Sequence, residues 1–506
     1  MTRSPELLIR IDRDADTPLT QQLFESLRSA IEAGRLIPGD PLPASRRLAK
    51  LLSVSRTVVL NAYEALRQDG YLDAQHGSGT FVSRRASPGA DRPARHIARE
   101  PTCPRRSIPQ VVQAMRSEHD YPGWSHHAGP SSAIDFAPAM PAIDEFPLRQ
   151  WRSIVNTMYT RSNELALGYG TVTGTPNLRA EVARRLRLTR AVPASSDQVI
   201  ITTGVCGTLA VLARQLLGPG DIVAVEDPCH PAMPEIFRSL GARVLPIQVD
   251  GDGIRTDLLE GCAEESRIRA VYVTPAHHFP TGARMSQARR HQLLAWARAH
   301  GKVIIEYDYD NEFLPSPRVP ALASLAPDCV IHVSCFGKTM FPSLRMGHVV
   351  MPPHLTGDFL RAKRVMDAMA PSVEQNALAE FISCGAYARH LKAMRALYLR
   401  RRTALRSALA RHGGELFQPA AEPAGIQLWV RVNTDLPESE LLRAARDNGV
   451  RVYSGTDCHV GPPSRAPHLL MGYGSVPEER IDEGAFRLAR LLTGGSCGAR
   501  VMAGHR

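Results

Sequence analysis

From Ser195 onward the chain repeats one pattern: an apolar, mostly β-branched run followed by a stretch of helical periodicity. The runs are QVIITTG, DIVAVED, RVLPIQV, AVYVTP, KVIIEYD, VIHVSCF and MGHVVMP. Apolar runs of this length without polar alternation suit strands covered on both faces, and the intervening helices supply the cover. A mostly parallel α/β sheet is therefore predicted. GIQLWVRV, GVRVYSG and HLLMGYG follow, separated by a helix, and predict a smaller α+β domain over 371–506 behind a large domain over 133–370. Open α/β sheets bind ligands beyond the carboxyl ends of their strands, so chemistry is expected there.

At one of those ends stands Lys338, in the small-residue turn after VIHVSCF. It is one of five lysines, with Lys50, Lys302, Lys363 and Lys392, among 61 basic residues. Arginine cannot supply an amine that loses its proton and attacks a carbonyl; lysine can. Arg345, shortly downstream, offers a permanent cation and a fork of donors suited to phosphate. The pair predicts a pyridoxal phosphate (PLP) Schiff base on Lys338 with Arg345 at the phosphate, although a solvated loop lysine fits the same few residues. TTGVCGTLA places Val205 and Cys206 at a strand-to-helix turn, where free N–H groups suit an anion. EDPCHPAM offers the His230 ring for stacking on a flat cofactor, and PAHHFPTG offers His277 and His278. IEYDYDNEF ends a strand with Asp308, Tyr309 and Asp310, a carboxylate for a pyridinium nitrogen and a phenol for the cofactor's phenolate oxygen. Taken singly, each also fits a polar loop residue.

The N-terminal stretch has a different grammar. Leu19, Leu23, Leu27, Ala30 and Ile31 recur at helical spacing, and Gly34 ends that helix before the connection IPGDPLP. Ser45 is placed to cap a second helix, SRRLAKLL, and Ser55 a third, SRTVVLNAYEALRQDG. Only Ser53 and Val54 separate the two, the tight join of a helix-turn-helix. YLDAQHGSGTFV then reads as a two-stranded wing, giving a winged helix over 1–83. Arg46, Arg56 and Thr57 sit at helix starts, where side chains and N–H groups meet phosphates and base edges. His76 and Gly77 would bring the wing tip to a groove. A small helical interaction module is the alternative.

Residues 84–132 are rich in Pro, Arg, His and Ser without periodicity and read as a flexible linker. A net charge of +11 favours a polyanionic partner, which double-stranded DNA would satisfy. With no apolar run near ~18 residues and no apolar leader, a soluble cytoplasmic protein is expected. The nine cysteines contain no CxxC pair, so neither a disulfide framework nor a metal site is expected.

Two motif sets now point the same way. LPASRRLA, VSRTVV, AYEALRQDGYL and GSGTFV resemble the GntR-type winged helix. TTG, EDP, FPTG, the DYDNEF loop and GKTMFPSLRMG, with FPLRQW and YGTVTGTPNLR ahead of them, resemble the fold-type I aminotransferase domain. In this order they are similar to the MocR/GabR family of transcriptional regulators. The resemblance implies DNA contacts from Arg46, Arg56, Thr57, His76 and Gly77, and a PLP site with Lys338 in the Schiff base, Arg345 at the phosphate and Tyr309 at the ring oxygen. It also implies a homodimer. The departures are specific. Tyr307 stands where the pyridinium's acid is expected, with Asp308 as its possible substitute; Gly337 replaces a serine, His230 the stacking tyrosine, and Leu470 and Ala232 two carboxylate-binding arginines, with Arg465 close by. A regulator that senses PLP or a small-molecule amine is expected. An active aminotransferase with an appended DNA-binding domain, or a regulator that no longer binds PLP, are the alternatives.

Overall fold

The computed structural model describes residues 9, 11–75, 79–83, 133–161, 167–314, 319–420, 425–463 and 466–494. The linker, His76, Gly77 and Arg465 lie outside the described residues. The chain divides into two units, Met1–Arg106 and Ser107–Arg506.

In the first unit, α1 (Leu19–Glu32), α2 (Ser45–Leu52) and α3 (Arg56–Gln68) enclose a core. Leu23, Leu27, Ala30 and Ile31 of α1 bury the predicted stripe against Val59, Ala62, Tyr63 and Leu66 of α3. Each fully buried leucine contributes ~1.5–3 kcal/mol relative to exposure. Ser53, in the left-handed region at φ 53°, closes α2 and makes the short join. Ser55 caps α3, its Oγ accepting from the Val58 N–H at 3.3 Å. Ser45 does not cap α2: Ala44 holds that position, and the Ser45 Oγ instead accepts from Arg56 Nε at 3.3 Å. The wing strands are β2 (Leu72–Gln75) and β3 (Gly79–Val82). The segment read as a plain Pro/Gly connection adds β1 (Pro41–Leu42) antiparallel to β3, making the order β1-β3-β2.

The second unit is the α/β body. Its described residues form a sheet of eight strands: β5 (Val199–Thr202), β6 (Ile222–Asp227), β7 (Arg243–Asp250), β8 (Gly253–Ile254), β9 (Ile268–Val273), β10 (Val303–Asp308), β11 (Val330–Cys335) and β12 (Gly347–Val350). Their order is β5-β12-β11-β10-β9-β6-β7-β8, parallel from β7 through β6, β9 and β10 to β11. β12 runs antiparallel to both β11 and β5, which turns the chain back immediately after the Lys338 turn. Helices cover both faces, among them α4 (Leu148–Arg161), α5 (Pro176–Arg190), α6 (Val205–Leu216), α7 (Ala232–Ser239), α8 (Gln287–Ala299) and α9 (Pro353–Met366).

Strand alternation sorts the central residues into two cores. Val271, Val273 and Ile304 face one; Tyr272, Ile305, Tyr307 and Val333 face the other. Toward the C-terminus, β13 (Phe417–Pro419), β14 (Gln427–Val432), β16 (Tyr453–Ser454) and β17 (His468–Gly472) form a four-stranded sheet in the order β13-β14-β17-β16. β4 (Ile134–Asp135) pairs in parallel with β15 (Val450–Arg451), so the described segment that opens the second unit is bonded to its C-terminal part. The result is an N-terminal winged helix-turn-helix and a fold-type I aminotransferase domain with a large mixed sheet.

Candidate functional site

A cavity of about 200 Å³ lies at the carboxyl edge of the large sheet. It gathers Lys338, Arg345, Tyr309, His230, Val205 and Cys206 from separate stretches of sequence. Lys338 reaches it because β11 ends at Cys335 and the turn continues into β12. Burial lowers the lysine's pKa, the Arg345 charge adding to that, while Cys335 and Asp310 oppose it. A lowered pKa leaves more of the amine free to react with a carbonyl.

Arg345 and the turn before α6 form a cradle. Gly204 has φ +88°, and a Cβ built there would lie 3.4 Å from the guanidinium carbon of Arg345. The left-handed backbone, rather than the spacing, is what favours glycine here, and Arg345 packs in ordinary contact with the start of α6, whose first N–H groups have no partner within the helix. A cation fork beside those N–H groups fits a phosphate. Gly337 also lines the cavity, and a Cβ there would meet nothing closer than Pro342 Cα at 3.7 Å. The missing serine is thus not excluded by crowding.

His230 packs against Phe279, ring centroids 5.0 Å apart, and its Nδ1 accepts from the Ala232 N–H at 3.3 Å. Burial, with the nearby Lys338 charge, pushes this imidazole down to about 3, so a neutral ring faces the cavity. His277 does not line the cavity. It stands behind Tyr309, its Nδ1 lying 3.0 Å from the tyrosine oxygen and 2.8 and 3.0 Å from the Asp310 carboxylate. With Nδ1–H directed to Asp310, the Tyr309 proton is free to point into the cavity. Gly425 (φ +93°) admits this cluster, since a Cβ there would lie 2.5 Å from His277 Cε1.

Asp308 departs from expectation. Tyr307 and Tyr309 line the cavity, but Asp308 faces the opposite side of the sheet with Glu306. There Asp308 Oδ2 lies 2.6 Å from Arg190 Nε, and His332 Nδ1 lies 3.3 Å from Glu306. Asp308 therefore cannot replace the acid missing at Tyr307, for the pleat of β10 sends consecutive side chains to opposite faces. Among the described residues lining the cavity there is no Asp or Glu. Leu470 is fully buried in the same apolar cluster as Phe279, Tyr307 and Tyr309, so an aliphatic side chain occupies the expected arginine position.

Tyr272, Cys335, Met233, Phe279 and Met346 complete much of the lining and carry no motif that singles them out in the sequence. Parity would have found two of them: Tyr272 pairs across β9–β10 with Ile305, and Cys335 shares a face with Val333 two residues earlier.

Glu226, at the end of β6, gives the unit a pH dependence. Thr274 donates its N–H at 2.9 Å and its hydroxyl at 2.6 Å to Oε2, yet burial dominates and pushes the carboxyl up to about 8 from 4.5. A folded-state pKa above the unfolded value gives stability that is complete below about 4.5 and drains as pH rises toward about 8. Urea titrations of the wild type are expected to lose on the order of a few kcal/mol across that window, and Glu226→Gln to flatten the slope. Parallel slopes for the two proteins would refute the assignment.

In the first unit, Arg46, Arg56 and Thr57 are exposed at the starts of α2 and α3. Leu60, 44% exposed, and Asn61 continue the stripes of Arg56 and Thr57 one turn along α3.

Residues 19–82 match the family model described as bacterial regulatory proteins, gntR family, and residues 142–485 that of aminotransferase class I and II. A probable rhizopine catabolism regulatory protein, MocR, of Rhizobium meliloti is 34% identical over 483 residues, covering 94% of each chain. The HTH-type transcriptional regulator TauR of Rhodobacter capsulatus is 31% identical, covering 94% of this chain and 96% of its own. A pyridoxine biosynthesis transcriptional regulator, PdxR, of Corynebacterium glutamicum is 27% identical over the same two shares. Among solved structures, a multiple substrate aminotransferase of Thermococcus profundus superposes with a TM-score of 0.70 at 26% identity, covering 78% of this chain and 98% of its own. The α-aminoadipate aminotransferase LysN of Thermus thermophilus gives 0.68 at 25%, covering 77% and 98%.

Proposed function

The chain belongs to the MocR-type regulators, a GntR-family DNA-binding module joined to an aminotransferase class I and II domain, and from that membership we propose that its second unit senses PLP. PLP, alone or with an amine, binds one arrangement of the protein better than another and changes operator affinity by that difference. The observation that carries this reading is the cradle: Lys338 at one end of the cavity, Arg345 against the Gly204 turn at the other. Lys338 holds the aldehyde, Arg345 and the first N–H groups of α6 take the phosphate, Tyr309 donates to the phenolate oxygen and His230 lies against the ring. When bound, PLP supplies a carbonyl that reacts reversibly with primary amines.

The lining says which amine. Apart from Lys338 and the phosphate-side Arg345, the described lining residues carry no fixed cation, and Leu470 and Ala232 stand where carboxylate-binding arginines are expected. A bidentate arginine is the usual clamp for an α-carboxylate. PLP itself, or an amine without a carboxylate, suits the cavity better than an amino acid, and the same lack argues against sustained transamination. The reading includes a cytoplasmic homodimer: Leu167 and Tyr169, 65% and 101% exposed just ahead of α5, are apolar groups that a second copy would cover.

The test is an operator titration at fixed salt, with and without PLP, because phosphate contacts make affinity steeply salt-dependent. PLP is expected to shift the midpoint. Arg46→Ala and Arg56→Ala are each expected to weaken binding by about 1–3 kcal/mol where a base contact is lost, without altering the yellow colour of the PLP-loaded protein. A midpoint indifferent to PLP would remove the sensing half of the proposal, and unchanged DNA binding by both variants would displace the recognition face.

A further inference from the structure

The cavity contains an acid's place without an acid. Tyr307 enters the lining from β10, and its hydroxyl lies 3.3 Å from Cys335 Sγ at the end of β11. A pyridine ring keeps a proton on its nitrogen at neutral pH when an anion is close by, because the ion pair favours the charged form. Here the titratable groups facing the cavity are Lys338, Arg345, His230, Cys206, Cys335, Tyr272, Tyr307 and Tyr309; no carboxylate is among the described lining residues. The carboxylates nearest in sequence are engaged elsewhere. Glu306 accepts the N–H groups of Leu322 and Ala323 on the reverse face, Asp308 lies against Arg190, and Asp310 is held by His277.

Resting on the PLP-binding reading above, we propose that this site holds the ring nitrogen unprotonated, with the Tyr307 hydroxyl as its hydrogen-bond donor and Cys335 as the partner that orients the phenol. The phenol is 8% exposed, and burial raises its pKa well above the ordinary value, with the Cys335 contact acting in the same direction. It therefore remains a neutral donor. An unprotonated ring is a weak electron sink, so an amine can be captured at the carbonyl without being driven onward through loss of a proton from its carbon. A site without that acid favours reversible capture over turnover. Tyr307 is thus a positioning residue for a sensor, and the accepted class of ligand is a primary amine held reversibly.

The experiment loads the full-length protein with PLP isotope-labelled at the ring nitrogen and reads that nitrogen by NMR. The wild type is expected to show an unprotonated pyridine signal, and Tyr307→Asp to move it to the pyridinium position. Tyr307→Phe is expected to keep the unprotonated signal while PLP retention weakens about tenfold, the equivalent of one lost hydrogen bond. A pyridinium signal in the wild type would overturn the proposal, as would an unmoved signal in Tyr307→Asp or undiminished retention in Tyr307→Phe. Should Tyr307→Asp fail to fold, the wild-type signal and the Tyr307→Phe retention still decide. Wild-type protein that retains no labelled PLP at all would instead overturn the PLP-binding reading itself, a separate and recognisable outcome.

Discussion

Lys338→Ala protein is expected to be colourless after incubation with PLP, to fold, and to bind operator DNA with a midpoint that PLP no longer moves. The lysine is half-buried in a turn at the rim of a cavity, and among the described residues no side-chain hydrogen bond or ion pair ties it to the surrounding elements. Truncation therefore removes a reactive group at small cost to stability. Its loss abolishes the covalent hold on the aldehyde and leaves only the phosphate cradle and ring contacts. PLP retention should fall by about 100-fold or more, ~2.7 kcal/mol. Lys338→Arg separates charge from chemistry: the cation stays, but a guanidinium does not attack carbonyls at neutral pH. It should be as colourless as the alanine variant. A visible spectrum with an operator titration reads both. If either variant bound PLP visibly and answered to it as the wild type does, covalent attachment would lie at another residue.

How much of this is legible in the sequence depends on how locally each feature is encoded. The parallel strands are readable because burial on both faces leaves uninterrupted β-branched runs, and the cavity residues because each stands directly after such a run. Tyr307 and Asp308 are distinguishable by parity alone; the structure adds where Asp308 goes, which needs Arg190 from a helix far earlier in the chain. The His277–Asp310 pairing has the same character, two loops with no shared periodicity brought together under Gly425. β1 escapes the sequence because two residues, one of them a proline and the pair followed by another, carry no strand signal, and the cap of α2 falls one position before Ser45 because Ala44 leaves no polar cue. Contacts between distant segments, rather than local propensity, account for most of what sequence reasoning does not reach.

Arg190 illustrates this and carries the second large effect. It ends α5 with 2% of its surface exposed, lies 2.6 Å from Asp308 and 3.8 Å from Glu306, and donates to Asn311 at 3.2 Å and to the Val319 carbonyl. Glu306 is fully buried; burial pushes it up, but the hydrogen bond and charge of His332, with Arg190 and the Leu322 N–H, bring it down to about 2. Asp308 is less well served, and burial raises its pKa despite the guanidinium beside it. Arg190 thus stands between two carboxylates in a low-dielectric layer directly beneath the cavity, with the charge of the buried Arg290 acting on both from farther off. Breaking such a buried set from one side costs about 3–5 kcal/mol, because the remaining charge is left uncompensated. For a domain whose whole stability is ~5–15 kcal/mol, Arg190→Leu is expected to unfold the second unit at markedly lower urea. Glu306 keeps two N–H donors and the closer His332 contact, 3.3 Å, in that variant, whereas Asp308 is left with His332 at 4.0 Å, so Asp308 should account for most of the loss. Arg190→Leu with Asp308→Leu should then recover much of it, since an apolar pair of similar bulk can replace a buried ion pair. Tyr307 is the backbone neighbour of Asp308, so the single variant should also lose PLP retention and the double variant regain it. Equal urea midpoints for wild type and Arg190→Leu would show that the carboxylates beneath the sheet do not depend on this arginine.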